Sequence, residues 1–89
     1  MGIEKVLFKS EEKKSAGEIA AALRRIADKV ESGGLTLKQG QDTVQLDFPE
    51  TMTLEIKVEE ESGRQTKRSL EIELEWVPGQ QASGKTEII

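Results

Sequence analysis

Leu70-Glu71-Ile72-Glu73-Leu74-Glu75-Trp76 is one of the two strongest strand signals in the chain. Apolar and acidic residues alternate in it without a break, and a period of two indicates a β-strand with one apolar face and one solvent-exposed face. A second alternating run precedes it, from Thr51 to Glu59. The two runs predict an antiparallel hairpin, and Pro78 closes its last strand because proline cannot donate a hydrogen bond to a ladder.

The loop between these two strands is constrained by parity. A two-residue loop is excluded because it would set Val58 opposite Lys67, the apolar face of one strand against the polar face of the other. We predict a three-residue loop from Glu61 to Gly63, with its glycine in the left-handed region of a G1 bulge; this loop pairs Leu54 with Leu70. A longer loop shifted by two residues satisfies parity as well.

Upstream of the strands, the chain changes to the helical period. Ser15 followed three residues later by Glu18 is a capping box, which predicts a helix that begins at Ala16 or close to it. Glycines at 33 and 34 end the helix, since glycine accepts a left-handed backbone without steric cost. The apolar stripe of this helix consists of Ile19, Leu23, Ile26 and Val30.

Two further strand signals flank the helix. The short apolar run from Lys5 to Lys9 predicts a first strand. After the helix, apolar residues alternate from Leu35 to Phe48 around a turn at Gln39 to Asp42, which predicts another hairpin. The fold class is therefore α+β: one amphipathic helix packed on a mostly antiparallel sheet of four to five strands, in the order β-α-β-β-β-β. We predict that the domain spans residues 1–78 and that residues 79–89 form a flexible polar tail.

Composition narrows the function. The 89 residues include no His, Cys or Tyr, and the formal charge is −4 from 13 basic and 17 acidic residues. Such a chain lacks the usual general bases, thiol nucleophiles and zinc ligands, so we predict no enzyme activity, no metal and no cofactor. The acidic balance argues against a nucleic-acid partner. The short apolar run near the N-terminus is too brief for a signal peptide or a membrane span, so no membrane partner is expected and the cytoplasm is the expected location.

The sequence also resembles the amphi-Trp domain family. The matching features are Leu7-Phe8-Lys9-Ser10-Glu11, the helix segments from Ile19 to Arg24 and from Ile26 to Gly33, and the terminal stretch from Leu70 to Trp76. The resemblance extends from about Lys5 to Trp76. It implies a small prokaryotic protein with this order of strand, capped helix and alternating strands, and it implies no assigned reaction.

Glu71, Glu73 and Glu75 form a row of carboxylates on one strand face, about 6.6 to 7 Å apart. That spacing overlaps the separation of the carboxyl groups of an inverting glycosidase. A general acid needs burial to raise its pKa, however, and alternation places this row in water. We therefore interpret the row as a solvated acidic face, with weak cation binding or carboxylate chemistry as the alternatives.

The tail contains a second motif. Gly79, four intervening residues and then Gly84-Lys85-Thr86 match the phosphate-binding P-loop pattern. The mechanism of that loop requires a following helix whose N-terminal amides hold the phosphates, and three residues cannot form one. We interpret the match as coincidence, with nucleotide or phosphate binding as the alternative.

Trp76 shares the parity of Leu70, Ile72 and Leu74, which favours a core position over a partner contact. One helix on one sheet leaves strand edges and a sheet face open, and these are ordinary routes to dimerisation or to capture of an extended peptide. We therefore predict a non-enzymatic interaction module whose partner is an unidentified protein or a second copy of the chain.

Overall fold

The computed structural model describes residues 2–79. Its elements, in chain order, are α1 (Ala16–Ser32), β1 (Gly34–Gln39), β2 (Asp42–Asp47), β3 (Thr53–Glu61) and β4 (Lys67–Glu75). The α+β class is confirmed. The described strands form two separate antiparallel pairs, β1 with β2 and β3 with β4, so the predicted single sheet is not confirmed. The chain divides into two compact units, Met1–Phe48 and Pro49–Ile89.

The capping box of α1 forms as predicted. Ser15 Oγ accepts a hydrogen bond from the Glu18 backbone N–H at 3.1 Å, and the Glu18 carboxylate accepts one from the Ser15 N–H at 3.2 Å. Each bond satisfies an amide that the first turn of a helix otherwise leaves unpaired. The helix begins at Ala16 for this reason.

Replacing Ser15 with alanine should lower the free energy of unfolding by about 1 kcal/mol, since the substitution removes the acceptor for the Glu18 amide. Far-UV circular dichroism during thermal unfolding measures the effect. Ser10→Ala is the matched control, because Ser10 lies outside any helix and its hydroxyl donates to the exposed Glu12 carboxylate at 3.4 Å. Equal melting temperatures for both variants would show that the cap does not stabilise the helix.

Gly33 ends α1 and connects it to the first hairpin. Its φ of 99° lies in the left-handed region, and its N–H donates to the carbonyls of Lys29 and Val30 at 2.9 and 3.2 Å. Its own carbonyl accepts a hydrogen bond from the Phe48 N–H at 2.8 Å, just beyond β2. Gly33 therefore links the C-terminus of α1 to the end of the β1–β2 hairpin that lies opposite its turn.

The β1–β2 hairpin confirms the predicted turn. Leu35 lies opposite Leu46, and Leu37 lies opposite Val44. The strands are joined by a two-residue loop that begins with Gly40 at φ 61°. A positive φ at this position is a feature of the primed turns that match the twist of paired strands. These apolar side chains are half-buried, and α1 contacts β1.

The predicted register of the second hairpin is wrong. Leu54 pairs with Leu74 rather than Leu70, and the connection runs from Ser62 to Thr66. Gly63 does not have a positive φ, so there is no G1 bulge. The parity rule is satisfied, because the apolar residues of β3 still lie opposite apolar residues of β4.

The physical reason for the observed register lies in the side chains that it brings together. The predicted register would set Ile56 opposite Arg68 and Lys57 opposite Lys67. The observed register instead aligns every apolar residue of β3 with one of β4 and sets Glu60 opposite Arg68. Matched apolar pairs and opposite charges both stabilise cross-strand neighbours.

The predicted strand from Lys5 to Lys9 is absent, and residues 2–15 form neither helix nor strand. Among the described strands, none pairs with this segment. A short apolar run becomes a strand only when a neighbour satisfies its amides and carbonyls, and the alternation of side chains does not supply that neighbour.

Candidate functional site

The most distinctive surface of the described residues is one face of the β3–β4 hairpin, here called the apolar face. Three cross-strand pairs form it: Leu54 with Leu74, Ile56 with Ile72, and Val58 with Leu70. Five of these six side chains are between 53% and 70% exposed, and Leu74 is half-buried. None of residues 2–79 is fully buried. The hairpin thus presents an apolar strip along residues 54–58 of β3 and 70–74 of β4.

The opposite face of the hairpin is charged. Lys57 Nζ lies 2.8 Å from Glu59 Oε1 on its own strand and 3.4 Å from Glu71 Oε2 across the ladder. The hydrogen bond to Glu59 raises the pKa of Lys57 above its ordinary value, and Glu71 adds to the effect. These contacts favour the protonated form of Lys57.

The same face holds one unfavourable pair. Glu55 lies directly opposite Glu73 in the ladder. Like charges placed opposite each other destabilise a strand pair. This juxtaposition follows from the register, which parity alone leaves open.

The turn end of the hairpin is held by an ion pair. Arg68 Nε donates to Glu60 Oε1 at 2.7 Å, and both side chains are exposed. This pair lies on the same side of the hairpin as the apolar face, and it marks the end of the apolar strip next to the turn. An exposed pair of this kind contributes about 0.2–1 kcal/mol to stability.

The open end of the hairpin carries Trp76. Its side chain is half-buried, which falls short of the predicted core position, and it lines an open depression of about 390 Å³. The depression is formed within residues 49–77, with Pro49, Met52 and Val77 also on its wall.

A second exposed patch lies on α1. Ile19 and Leu23 are 48% and 47% exposed, and they line a groove of about 390 Å³ with Lys14 and Arg25. Ile26 and Val30, farther along the same stripe, are half-buried. The N-terminal half of the helix stripe is thus more open than the C-terminal half.

The structure places the three glutamates of the acidic row on the exposed face opposite the apolar one. Glu71 is held by Lys57, and Glu73 lies opposite Glu55. Within residues 2–79, no group of three or more possible ligands could hold a metal ion. The row carries the features of a solvated face rather than those of a buried acid.

Most residues of the P-loop pattern lie outside the described residues. Gly79 is described, with φ 82°, whereas Gly84, Lys85 and Thr86 are not. The part of the chain from 2 to 79 contains no helix with the length and apolar character needed to cross a membrane.

Together these features define a small α+β protein with amphipathic hairpins and an exposed apolar sheet face. Comparison with known families gives the particular group: the amphi-Trp domain matches residues 1–89, so the chain belongs to the amphi-Trp domain family. No curated protein and no solved structure matches the chain.

Proposed function

We propose that this protein is a non-enzymatic interaction module that binds other protein chains through its β3–β4 hairpin. The observation that carries the proposal is the exposed apolar face, whose five most open side chains are 53% to 70% accessible. Large contiguous apolar surfaces on soluble proteins mark places where another surface docks. Scattered exposed apolar residues carry no such meaning, but these side chains lie in matched pairs along one face.

Energetic considerations support the same conclusion. A two-stranded hairpin alone is marginally stable in water, and independent stability requires more strands or a cover for the apolar side. Full burial of one large aliphatic side chain stabilises by about 1.5–3 kcal/mol relative to exposure. Covering even part of the apolar face would therefore contribute more than the exposed ion pair between Arg68 and Glu60.

A separate proposal concerns the finer architecture predicted from the sequence: one helix on a single sheet of four to five strands. A four-stranded sheet contains three ladders, whereas two hairpins contain two. Amide exchange in the monomeric chain can count them. Slow exchange along one additional strand edge supports the single sheet, and fast exchange along every outer edge contradicts it.

The interaction proposal is tested by sedimentation velocity at micromolar concentrations, combined with the fluorescence of anilinonaphthalene sulfonate, a dye that binds exposed apolar surface. We expect the chain either to associate or, as a monomer, to bind the dye. A chain that ends after Pro78 is the matched control. It lacks the residues of the P-loop pattern and should associate as strongly as the full chain. A monomer that excludes the dye at every concentration would overturn the proposal.

A further inference from the structure

The outer edge of β3 is suited to pairing with another strand. Among the described residues, β3 pairs with β4 alone, so the second edge of this nine-residue strand has no ladder partner. Thr53–Glu61 contains neither proline nor glycine. Unpaired backbone along a strand of this length is a template for strand addition.

The side chains of β3 complement those of a second β3 in an antiparallel register centred on Ile56. In that register Ile56 faces its own copy, and Leu54 faces the partner's Val58 on the apolar face. On the opposite face Glu55 faces the partner's Lys57, and two-fold symmetry forms this pair twice. Every apolar residue from 54 to 58 meets an apolar residue, and every charge in that range meets the opposite charge.

Neighbouring registers of β3 lack this match. A shift that centres the axis on Glu55 places that carboxylate against its own copy. A shift to Lys57 places two ammonium groups together and sets Glu55 against the partner's Glu59. Like charges directly opposite are destabilising, so the charge pattern selects the register centred on Ile56.

The edge of β4 offers no equivalent solution. If the two-fold axis passes through Glu71, that residue lies opposite its own copy. If the axis passes through Ile72, Glu71 lies opposite the partner's Glu73. An axis at Leu70 avoids like charges but places Arg68 against the partner's Ile72. The acidic row thus disfavours β4 as the joining strand.

We propose that two copies of the chain pair through antiparallel β3 strands centred on Ile56, forming a four-stranded sheet in the order β4-β3-β3-β4. This inference rests on the proposed function and names a second copy as the partner. The pairing extends two marginal hairpins into a sheet of four strands. It also brings the partner's Lys57 beside Glu55, offsetting the repulsion from Glu73.

A disulfide trap tests the geometry. The chain contains no cysteine, so a single introduced cysteine can form only an intermolecular bond. Ile56→Cys lies on the axis, where adjacent strands bring Cα atoms to about 4.5–5.5 Å, within the range of a disulfide. Ile72→Cys lies on β4, and three strand spacings of about 4.8 Å separate it from its copy. We expect rapid covalent dimerisation of the first full-length variant alone; equal trapping of both variants, or of neither, would overturn the pairing.

A charge exchange tests the register independently. Glu55→Lys and Lys57→Glu each create like-charged pairs in a homodimer, and we expect each to raise the dimer dissociation constant about 10- to 100-fold. Mixing the two variants restores two opposite-charge pairs, so the mixture should associate as the wild type does. Association that is indifferent to these changes overturns the pairing and leaves the interaction proposal standing, whereas a wild-type monomer that excludes the apolar dye overturns both.

Discussion

Replacing Ile56 with aspartate is expected to weaken association of the chain strongly while leaving the helix and strands of the separate molecules in place. Ile56 lies at the middle of β3, opposite Ile72, and its side chain is 64% exposed. In the separate chain a carboxylate there stays hydrated and costs little. In the paired state each carboxylate lies directly opposite its copy across the two-fold axis, and the apolar contact between the two isoleucines is lost.

The expected size of the effect is a rise of about 10- to 100-fold in the dissociation constant, since like charges directly opposite each other destabilise a strand pair. Sedimentation equilibrium measures it, and far-UV circular dichroism checks the secondary structure. Gln65→Asp is the matched control: it adds the same charge in the loop between β3 and β4, away from the apolar face. If both variants associated equally, the hairpin would not be the binding surface.

Replacing Gly33 with alanine is expected to destabilise the first unit by about 1–2 kcal/mol. The backbone at this residue has φ 99°, a conformation in which a Cβ is strained whatever space surrounds it. The strain acts where the residue is held on both sides, by hydrogen bonds to Lys29 and Val30 and by the bond from Phe48. The residue therefore cannot relax without losing the end of α1 or its connection to β2.

Gly17→Ala is the matched control for this substitution. Gly17 lies inside α1, has no positive φ, and a Cβ there would come no closer than 4.0 Å to the Ser15 Oγ. Alanine at a helical position stabilises by up to about 1 kcal/mol relative to glycine. Urea unfolding followed by circular dichroism should therefore give shifts of opposite sign for the same chemical change. Shifts of the same sign would contradict the role assigned to the left-handed cap.

Local signals predicted the helix and the first hairpin turn well, because each depends on residues that are close in sequence. The Ser15–Glu18 pair set the start of α1, glycine set its end, and the two residues after Gln39 make the first hairpin turn. The same reasoning failed at Gly63, where the connection is longer than a bulged turn and the glycine has an ordinary φ. Several loop lengths satisfy parity there, so the choice lies outside the turn itself.

The candidate site was predicted only in part. Alternation in residues 70–76 correctly separated an apolar face from an acidic one. The facing positions of Glu55 and Glu73, and the contact between Lys57 and Glu71, depend on which residue of β3 meets which residue of β4. The signal that could have found them was charge matching across every parity-allowed register.

The residues from Leu70 to Trp76 specify an amphipathic strand and the side chains that share each of its faces, because side-chain alternation follows from backbone geometry alone. The partner of that strand depends on the rest of the fold. The register that sets Leu54 against Leu74, the absence of a strand at Lys5 to Lys9 and the two separate strand pairs all depend on contacts between distant residues. A ladder needs a partner for each amide, and the gain from matched side chains selects that partner.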